Sequence, residues 1–253
     1  MQRDYPILEF DPAAGIIEPA KLIQPKDVPE HCVVCFFQEV LDKLRDEDGA
    51  RECACLRSAM GRHPVYEIER QGKRLAVGHP GVGAPLAGAF VEELIATGCR
   101  KFVACGGCGV LDGEAAVGKL IVPAVAVRDE GFSYHYLPPG REVEASPAGV
   151  AAIEAVLREH GCEYVVSKTW TTDAFFRETP AKVALRRAEG CLAVEMEAAA
   201  FFAVAQFRGV TFAQLLYAGD DLSGEEWDSR EWDTCTSIRE ELFRLAAEAC
   251  LRL

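Results

Sequence analysis

The chain has 253 residues, and its 27 basic against 40 acidic side chains give a formal net charge of −13. This charge excludes a protein that binds nucleic acid or an anionic membrane surface through basic patches, because polyanions are repelled. A hydrophobic content of 49% with 26% charged residues excludes a disordered chain and allows a sizeable core. The composition therefore favours an enzyme that acts on a small molecule.

Strands and helices alternate regularly from residue 75 onward, which is typical of parallel crossovers. Before that point the pattern predicts only an apolar strand at Cys32–Cys35 and an amphipathic helix near Gln38–Arg45. The later predicted strands are Leu75–Gly78, Lys101–Cys105, Lys119–Val122 continued by Ala124–Arg128, Tyr164–Lys168, Leu192–Met196 and Val210–Ala218. The later predicted helices are Ala84–Thr97, Pro147–His160, Pro180–Glu189, Ala198–Arg208 and Ser237–Leu251.

This order of elements predicts one α/β domain over residues 1–253, with a mixed, mostly parallel central sheet flanked by helices. We divide it into a divergent N-terminal part, residues 1–70, and a core, residues 71–253. Glycines or prolines mark most predicted helix ends; Gly98 and Gly209 stand where a helix commonly ends in a left-handed residue.

Eleven cysteines in a chain too long to need cross-links predict free thiols in a reducing compartment. The N-terminal residues lack the basic and apolar regions of a secretory signal, so we expect a cytoplasmic protein. The pairs Cys32/Cys35 and Cys105/Cys108 have the CxxC spacing that zinc sites and redox pairs use. Buried strand positions also explain such cysteines, and we expect no metal.

Glycines and acids follow several predicted strands, at the edge where α/β sheets bind ligands. Gly81 and Gly83 follow one strand, and Gly106 and Gly107 follow the next. Backbone N–H groups at such glycines can close on an oxyanion. The spacing of a dinucleotide-binding fingerprint and the lysine of a P-loop are both missing, which argues against those two classes of enzyme.

Three acids stand at two further strand ends. Glu195 and Glu197 flank Met196 at a strand-to-helix junction, where one carboxylate can interact with the helix N-terminus and the other suits ribose hydroxyls. A plain capping role is the alternative for this pair. Asp220 ends the most apolar strand and can act there as a proton donor, or simply close a loop turn.

In this order the segments resemble the nucleoside phosphorylase family, which comprises purine nucleoside and uridine phosphorylases. The resemblance rests on Gly81-Val82-Gly83, Gly106-Gly107-Cys108-Gly109, Thr172-Asp173-Ala174-Phe175-Phe176, Val194-Glu195-Met196-Glu197-Ala198-Ala199 and Gly219-Asp220. It implies an enzyme that cleaves the N-glycosidic bond of a nucleoside by phosphorolysis, giving a free base and a pentose 1-phosphate. It also implies no cofactor, phosphate as co-substrate, and a homo-oligomer, either a dimer or a trimer of dimers.

The resemblance assigns a role to most of the candidate residues. It implies a general acid at Asp220, sugar contacts from Glu195, Met196 and Glu197, and a base stacked on Phe175. Arg177 and Glu178 follow directly and are candidates to read the base edge, although Thr179 there also suits a helix N-cap. Gly81, Gly83, Gly106 and Gly107 are assigned to a phosphate or water site.

The usual phosphate-binding residues are replaced. Ala104 and Gly107 stand where the family carries Arg and Ser or Thr, and no Gly-Asp-Pro-x-Arg segment is recognisable in residues 20–40. Arg128 and Arg177 are candidates to supply the missing charge. The pattern of the whole chain favours phosphorolysis, and the alternatives are a hydrolytic nucleosidase and a catalytically weak nucleoside-binding protein.

Base preference stays open at this point, because Asp220 favours a purine whereas the segment after the aromatic pair is shortened. His79 and His135 follow strands and are further candidates to face a ligand. Trp227 and Trp232 lie in the acidic stretch Gly224–Asp233, where they suit either a lid or a subunit contact.

Overall fold

Strands and helices alternate along the computed structural model, which describes residues 4–46 and 49–253. The strands are β1 (His31–Cys35), β2 (Arg51–Ser58), β3 (Gly61–Arg70), β4 (Lys73–Gly78), β5 (Lys101–Val110), β6 (Leu120–Asp129), β7 (Glu142–Glu144), β8 (Tyr164–Thr172), β9 (Cys191–Glu195) and β10 (Thr211–Asp221). The helices are α1 (Pro19–Leu22), α2 (Gln38–Asp46), α3 (Ala84–Thr97), α4 (Pro147–Glu159), α5 (Pro180–Ala188), α6 (Ala198–Arg208) and α7 (Thr236–Cys250).

The strands form one sheet in the order β10-β6-β8-β9-β5-β1-β4-β3-β2, with β7 on β6. Because β10 also pairs with β5, the strands β5, β10, β6, β8 and β9 close into a ring. The predicted α/β domain with a mixed sheet is confirmed. Among the described residues five pairings are parallel and five antiparallel, so the sheet is less parallel than predicted.

The first 70 residues contribute more to the sheet than their irregular pattern indicated. Strand β1 lies between β4 and β5, and its Val33 and Val34 are completely buried. Strands β2 and β3 extend the same sheet as an antiparallel meander with β4. Burial in these two strands is limited to Ala54 and Leu56 in β2 and to Val65, Glu67 and Ile68 in β3.

Predicted helix bounds agree closely with the structure, whereas several strands are longer than predicted. Helices α3 and α6 match the prediction to the residue, and α6 ends at Gly209 with the left-handed φ of 66° that favours glycine. Strand β5 continues through its glycines to Val110 because they pair with β10, and β6 passes Pro123 with a shift in register. Ser146 precedes α4, but its hydroxyl accepts the N–H of Phe212 on β10 instead of capping the helix.

Two hydrophobic layers enclose the sheet. Helices α3 and α6 cover one face, where the rings of Phe102, Phe201 and Phe212 stack with centroids 4.6–5.4 Å apart. Helices α2, α4 and α7 cover the other face. Complete burial of each such aromatic side chain stabilises the fold by about 1.5–3 kcal/mol. Within the described ranges, no helix is both long enough and apolar enough to cross a membrane.

Candidate functional site

Glu195, the last residue of β9, caps helix α6. One carboxylate oxygen accepts the backbone N–H groups of Glu197 and Ala198 at 2.7 and 2.6 Å. The other accepts the hydroxyl of Thr171, at the end of β8, at 2.6 Å. An anion in this place is stabilised by the positive end of the helix dipole. Glu195 therefore fixes the junction of β9 and α6 against β8, and its oxygens face donors of the chain itself.

Glu197 lies at the start of α6 and is only 5% exposed. Its Oε1 atom accepts the backbone N–H of Gly83 at 2.6 Å. Gly83 precedes α3 with a φ of 89°, a conformation that residues with a β-carbon rarely adopt. This bond joins the turn after β4 to the end of β9, beside the half-buried Met196.

Both glutamates hold their protons to higher pH than isolated carboxyl groups. Burial raises the pKa of Glu195, and the charge of the nearby Glu130 adds to the effect. Burial also raises the pKa of Glu197, and the negative charge of Glu195 raises it further. A cationic partner at this junction would therefore favour the loss of these protons, since it would stabilise the negative charge that results.

Asp220 lies near the end of β10 and is half-buried. Its Oδ2 atom accepts the indole N–H of Trp227 at 2.7 Å. Gly109 on β5 allows Leu222 and Val194 to pack closely beside the aspartate, because a β-carbon at position 109 would lie 2.5 Å from Leu222 Cδ1 and 3.0 Å from Val194 Cγ1. Burial raises the pKa of the neighbouring Cys108 thiol, and the charges of Asp220 and Glu195 raise it further. Asp220 near the end of β10 and Glu195 at the end of β9 therefore both lie close enough to the Cys108 thiol to raise its pKa.

The aromatic pair follows β8 on a short 3-10 turn. The rings of Phe175 and Phe176 lie 4.1 Å apart, and Phe175 is 52% exposed. Burial raises the pKa of Glu178, the next residue but one, to about 7, and the charge of Asp220 contributes to the shift. Glu178 thus lies near Asp220, whereas Arg177 is exposed on the turn. The exposed ring can stack on a planar base, and the carboxyl groups of Glu178 and Asp220 can form hydrogen bonds with the edge of that base.

The four glycines that the resemblance assigns to a phosphate or water site contact other residues of the chain. The N–H of Gly81 donates to Nδ1 of His79 at 2.9 Å, and that of Gly83 donates to Glu197. The ring of Phe36 lies against Gly106, where a β-carbon would be 3.0 Å from its Cδ2 atom. Gly107 lies in the same way against Tyr217. An apolar ring therefore fills the space beside Gly106.

The two arginines considered as replacement charges lie in different surroundings. Arg128 is buried. Its guanidinium donates to the hydroxyl of Ser133 and to the carbonyls of Leu137 and Pro138. The same group lies 4.2 Å from the centroid of the Tyr134 ring. Burial lowers its pKa. Arg128 thus holds the loop after β6, and of these two arginines it is Arg177 that is exposed, on the turn that carries the aromatic pair.

His135 is exposed on a 3-10 turn, and His79 is bound to Gly81 beside the ring of Phe36. Trp232 packs against Gly219, whereas Trp227 extends toward Asp220.

Sequence reasoning missed Glu130 and Phe36. Glu130 is buried beside the end of β6, and its Oε2 atom accepts the N–H groups of Phe132 and Ser133. Its Oε1 atom has no hydrogen-bond partner among the described residues. Two acids in a row, Asp129 and Glu130, after the predicted strand that ends at Arg128 were the available signal for Glu130. Nothing in the local pattern indicated Phe36, because its contact with Gly106 is long-range.

All eleven cysteines are free thiols in the structure. Cys32, Cys35, Cys105 and Cys108 are buried on strands. In the part of the chain that the structure describes, no three His, Cys, Asp or Glu side chains converge so as to hold a metal ion. The CxxC spacings are accounted for by strand positions.

Comparison with known proteins gives a consistent result. Residues 30–252 match the family model described as the Phosphorylase superfamily. A guanosine phosphorylase from Halorubrum lacusprofundi is 30% identical over 195 residues, which cover 76% of this chain and 79% of the relative. A DeoD-type purine nucleoside phosphorylase from Bacillus cytotoxicus is 29% identical, covering 72% of this chain and 77% of the relative.

Two solved structures share the fold at lower identity. The purine nucleoside phosphorylase from Toxoplasma gondii, in complex with immucillin-H, has a TM-score of 0.78 at 20% identity and covers 95% of this chain and 98% of its own. The uridine phosphorylase from Vibrio fischeri has a TM-score of 0.76 at 22% identity and covers 93% and 98%. At these identities the likeness concerns the fold.

Proposed function

Since the chain belongs to the Phosphorylase superfamily, we propose that it cleaves the N-glycosidic bond of a purine nucleoside with phosphate as the acceptor. The observation that carries this proposal is the meeting of Glu197, Asp220 and the Phe175–Glu178 turn around the ends of β8, β9 and β10. The names of the curated relatives, a guanosine and a purine nucleoside phosphorylase, support the choice of a purine.

Glu197 is proposed to bind the ribose hydroxyls, with Met196 packed against the sugar. As the C1′–N9 bond breaks, positive charge develops on the sugar ring, and a preorganised buried carboxylate stabilises that charge most strongly. Gly83 holds one oxygen of Glu197 in place. Glu195 is proposed to act indirectly, by holding Glu197 in position. Its own oxygens are bound to Thr171 and to the start of α6.

Asp220 is proposed as the general acid. The electron pair of the breaking bond passes to the purine, and a proton from Asp220 passes to N7, so that the base leaves neutral. A phosphate oxygen forms the new bond to C1′ and yields the pentose 1-phosphate. Phe175 stacks on the base, and Glu178 and Arg177 meet its edge.

Hydrolysis is the second candidate, and Phe36 favours it. Its ring lies against Gly106, and the N–H groups of Gly81 and Gly83 are already hydrogen-bonded. An anion beside an apolar ring loses hydration without gaining a charged partner, whereas a water molecule loses much less. With water as acceptor the products are free base and free pentose.

The proposal includes a cytoplasmic enzyme without a cofactor other than its co-substrate. Eleven free thiols suit a reducing compartment. A homo-oligomer, as a dimer or a trimer of dimers, is part of the proposal by resemblance, and light scattering of the purified chain tests it.

The deciding assay incubates the purified chain with a panel of purine and pyrimidine nucleosides, with and without phosphate, and measures the released base. Release that requires phosphate and yields a pentose 1-phosphate is the expected result. Equal release without phosphate would indicate a hydrolase. Calorimetric binding of a nucleoside without any release would indicate a binding protein, and neither binding nor release would refute the proposal.

A further inference from the structure

We propose that Trp227 is a positioning residue that orients Asp220 for proton transfer to the base, an inference that rests on the proposed function. The indole N–H donates to Oδ2 of Asp220 at 2.7 Å, although the Trp227 side chain is 62% exposed. A large exposed aromatic side chain is not held in place by burial. The hydrogen bond to the aspartate is therefore the contact that gives this tryptophan a defined direction.

The loop that carries Trp227 is anchored on both sides. Arg230 donates to the carboxylate of Asp221 at 2.5 Å and to the carbonyl of Ala115 at 2.7 Å. The backbones of Asp221 and Asp228 exchange two hydrogen bonds of 2.8 and 3.1 Å. These bonds close a short loop directly after Asp220. The loop brings Trp227 back to the carboxylate of Asp220.

The geometry gives the two oxygens of Asp220 different surroundings. Oδ2 accepts the indole N–H, whereas Oδ1 accepts no hydrogen bond from the described residues. In the proposed mechanism Oδ1 is therefore the oxygen from which the proton passes to N7 of the base. A hydrogen bond to a carboxylate is stronger than one to a neutral acid, so the indole stabilises the charge that appears as the proton leaves.

Other charged groups also face Asp220 or adjoin it. Glu178 approaches from the turn after β8 and Cys108 from β5, while the ion pair of Arg230 and Asp221 lies next along the chain. Cys108 and Glu178 hold their protons more strongly than isolated groups, because burial raises the pKa of each. Among these groups Trp227 supplies the neutral donor that contacts the carboxylate directly.

The test compares two substrates that differ in their need for an acid. A purine nucleoside requires protonation at N7, whereas its N7-methylated form already carries a cationic base and leaves without a proton. The variants are Trp227→Phe, which keeps an aromatic ring but loses the N–H, and Asp220→Asn. Trp232→Phe is the matched control, since that ring belongs to the same segment but packs beside Arg239 and Gly219.

For the purine nucleoside we expect Trp227→Phe to lower kcat about tenfold with little change in KM, and Asp220→Asn to lower it about a hundredfold. Both variants should cleave the N7-methylated nucleoside at the wild-type rate, and Trp232→Phe should resemble wild type on both substrates. Thermal unfolding midpoints of all variants are measured alongside.

Equal losses on both substrates would show a structural role and overturn the inference. An unchanged kcat of Trp227→Phe on the purine nucleoside would overturn it as well, while leaving the proposed function intact. A wild-type chain that releases no base from either substrate would instead refute the proposed function, and the role of Trp227 with it.

Discussion

The two halves of the candidate site are built from opposite kinds of residue. On the side of β8, β9 and β10, buried or half-buried acids crowd together, with Glu178, Glu197 and Asp220 within electrostatic reach of their neighbours. On the side of β4 and β5, glycines pack against the rings of Phe36 and Tyr217. The first half suits a partner that becomes cationic, and the second offers little to an anion.

This difference indicates that the two substrates are recognised with unequal strength. Buried carboxyl groups lower the stability of the fold at neutral pH. Because several of them lie together in the candidate site, we infer that they serve the function of the protein. On the glycine side no such carboxyl group is part of the candidate site, and the rings of Phe36 and Tyr217 lie against Gly106 and Gly107. Nucleoside binding is therefore expected to be specific, and acceptor binding weak.

The largest expected effect is on the acidic side. Glu197→Gln keeps the size of the side chain and can still accept the N–H of Gly83, but it removes the negative charge. We expect kcat to fall about 10²–10³-fold, as for the loss of one preorganised electrostatic contact. Steady-state base release measures it, with Glu225→Gln on the exposed loop as control. A loss below threefold would show that Glu197 does not stabilise the transition state.

The second prediction concerns pH and Glu178. Since burial and the charge of Asp220 raise its pKa to about 7, this carboxyl group becomes ionised as the pH rises from 6 to 8. A 6-oxopurine presents an N–H donor at N1, so its KM should fall about three- to tenfold over that range. A 6-aminopurine presents an acceptor there, and its KM should rise. Glu178→Gln should remove both trends; trends that persist in the variant would assign them to another group.

The third prediction concerns the glycine side. Phe36→Ala removes the ring that lies against Gly106 and opens space for an anion. If phosphate is the acceptor, its KM should fall about fivefold while the KM of the nucleoside stays unchanged, because only desolvation beside the ring is relieved. Val82→Ala, an exposed apolar position in the neighbouring turn, is the control. An unchanged KM for phosphate would place the acceptor elsewhere.

Local signals explain how much of the fold could be predicted. Helices α3 and α6 were placed to the residue because they are mostly apolar and because Gly98 and Gly209 end them. The closing of β5 onto β10 could not be predicted, since glycines are typical of loops and their pairing depends on a strand about 110 residues later in the chain.

The candidate site could be predicted only as a set of positions. Acids and an aromatic side chain after strands indicated Glu195, Glu197, Asp220 and Phe175, because strand ends meet at one side of such a sheet. The hydrogen-bond partners could not be read from the sequence. Neither the bond of Glu197 to Gly83 nor that of Trp227 to Asp220 follows from any spacing along the chain.

The smallest expected effect links the acidic side to stability. The pKa of Glu197 is raised above its ordinary value of 4.5 by burial and by Glu195, so the folded state binds a proton that the unfolded state releases. The contribution of Glu197 to the free energy of unfolding should therefore be greatest below about pH 4.5 and fall as the pH rises through the neutral range. Glu197→Gln cannot ionise, so it should be more stable than wild type at pH 8 by about 1 kcal/mol or more, since one pKa unit corresponds to about 1.4 kcal/mol.

Urea unfolding at pH 5, 6.5 and 8 measures the difference, which should grow with pH, whereas Glu225→Gln should show no such trend. A difference independent of pH would mean that the variant changes packing rather than charge, and the acidic side would then carry no electrostatic cost at Glu197.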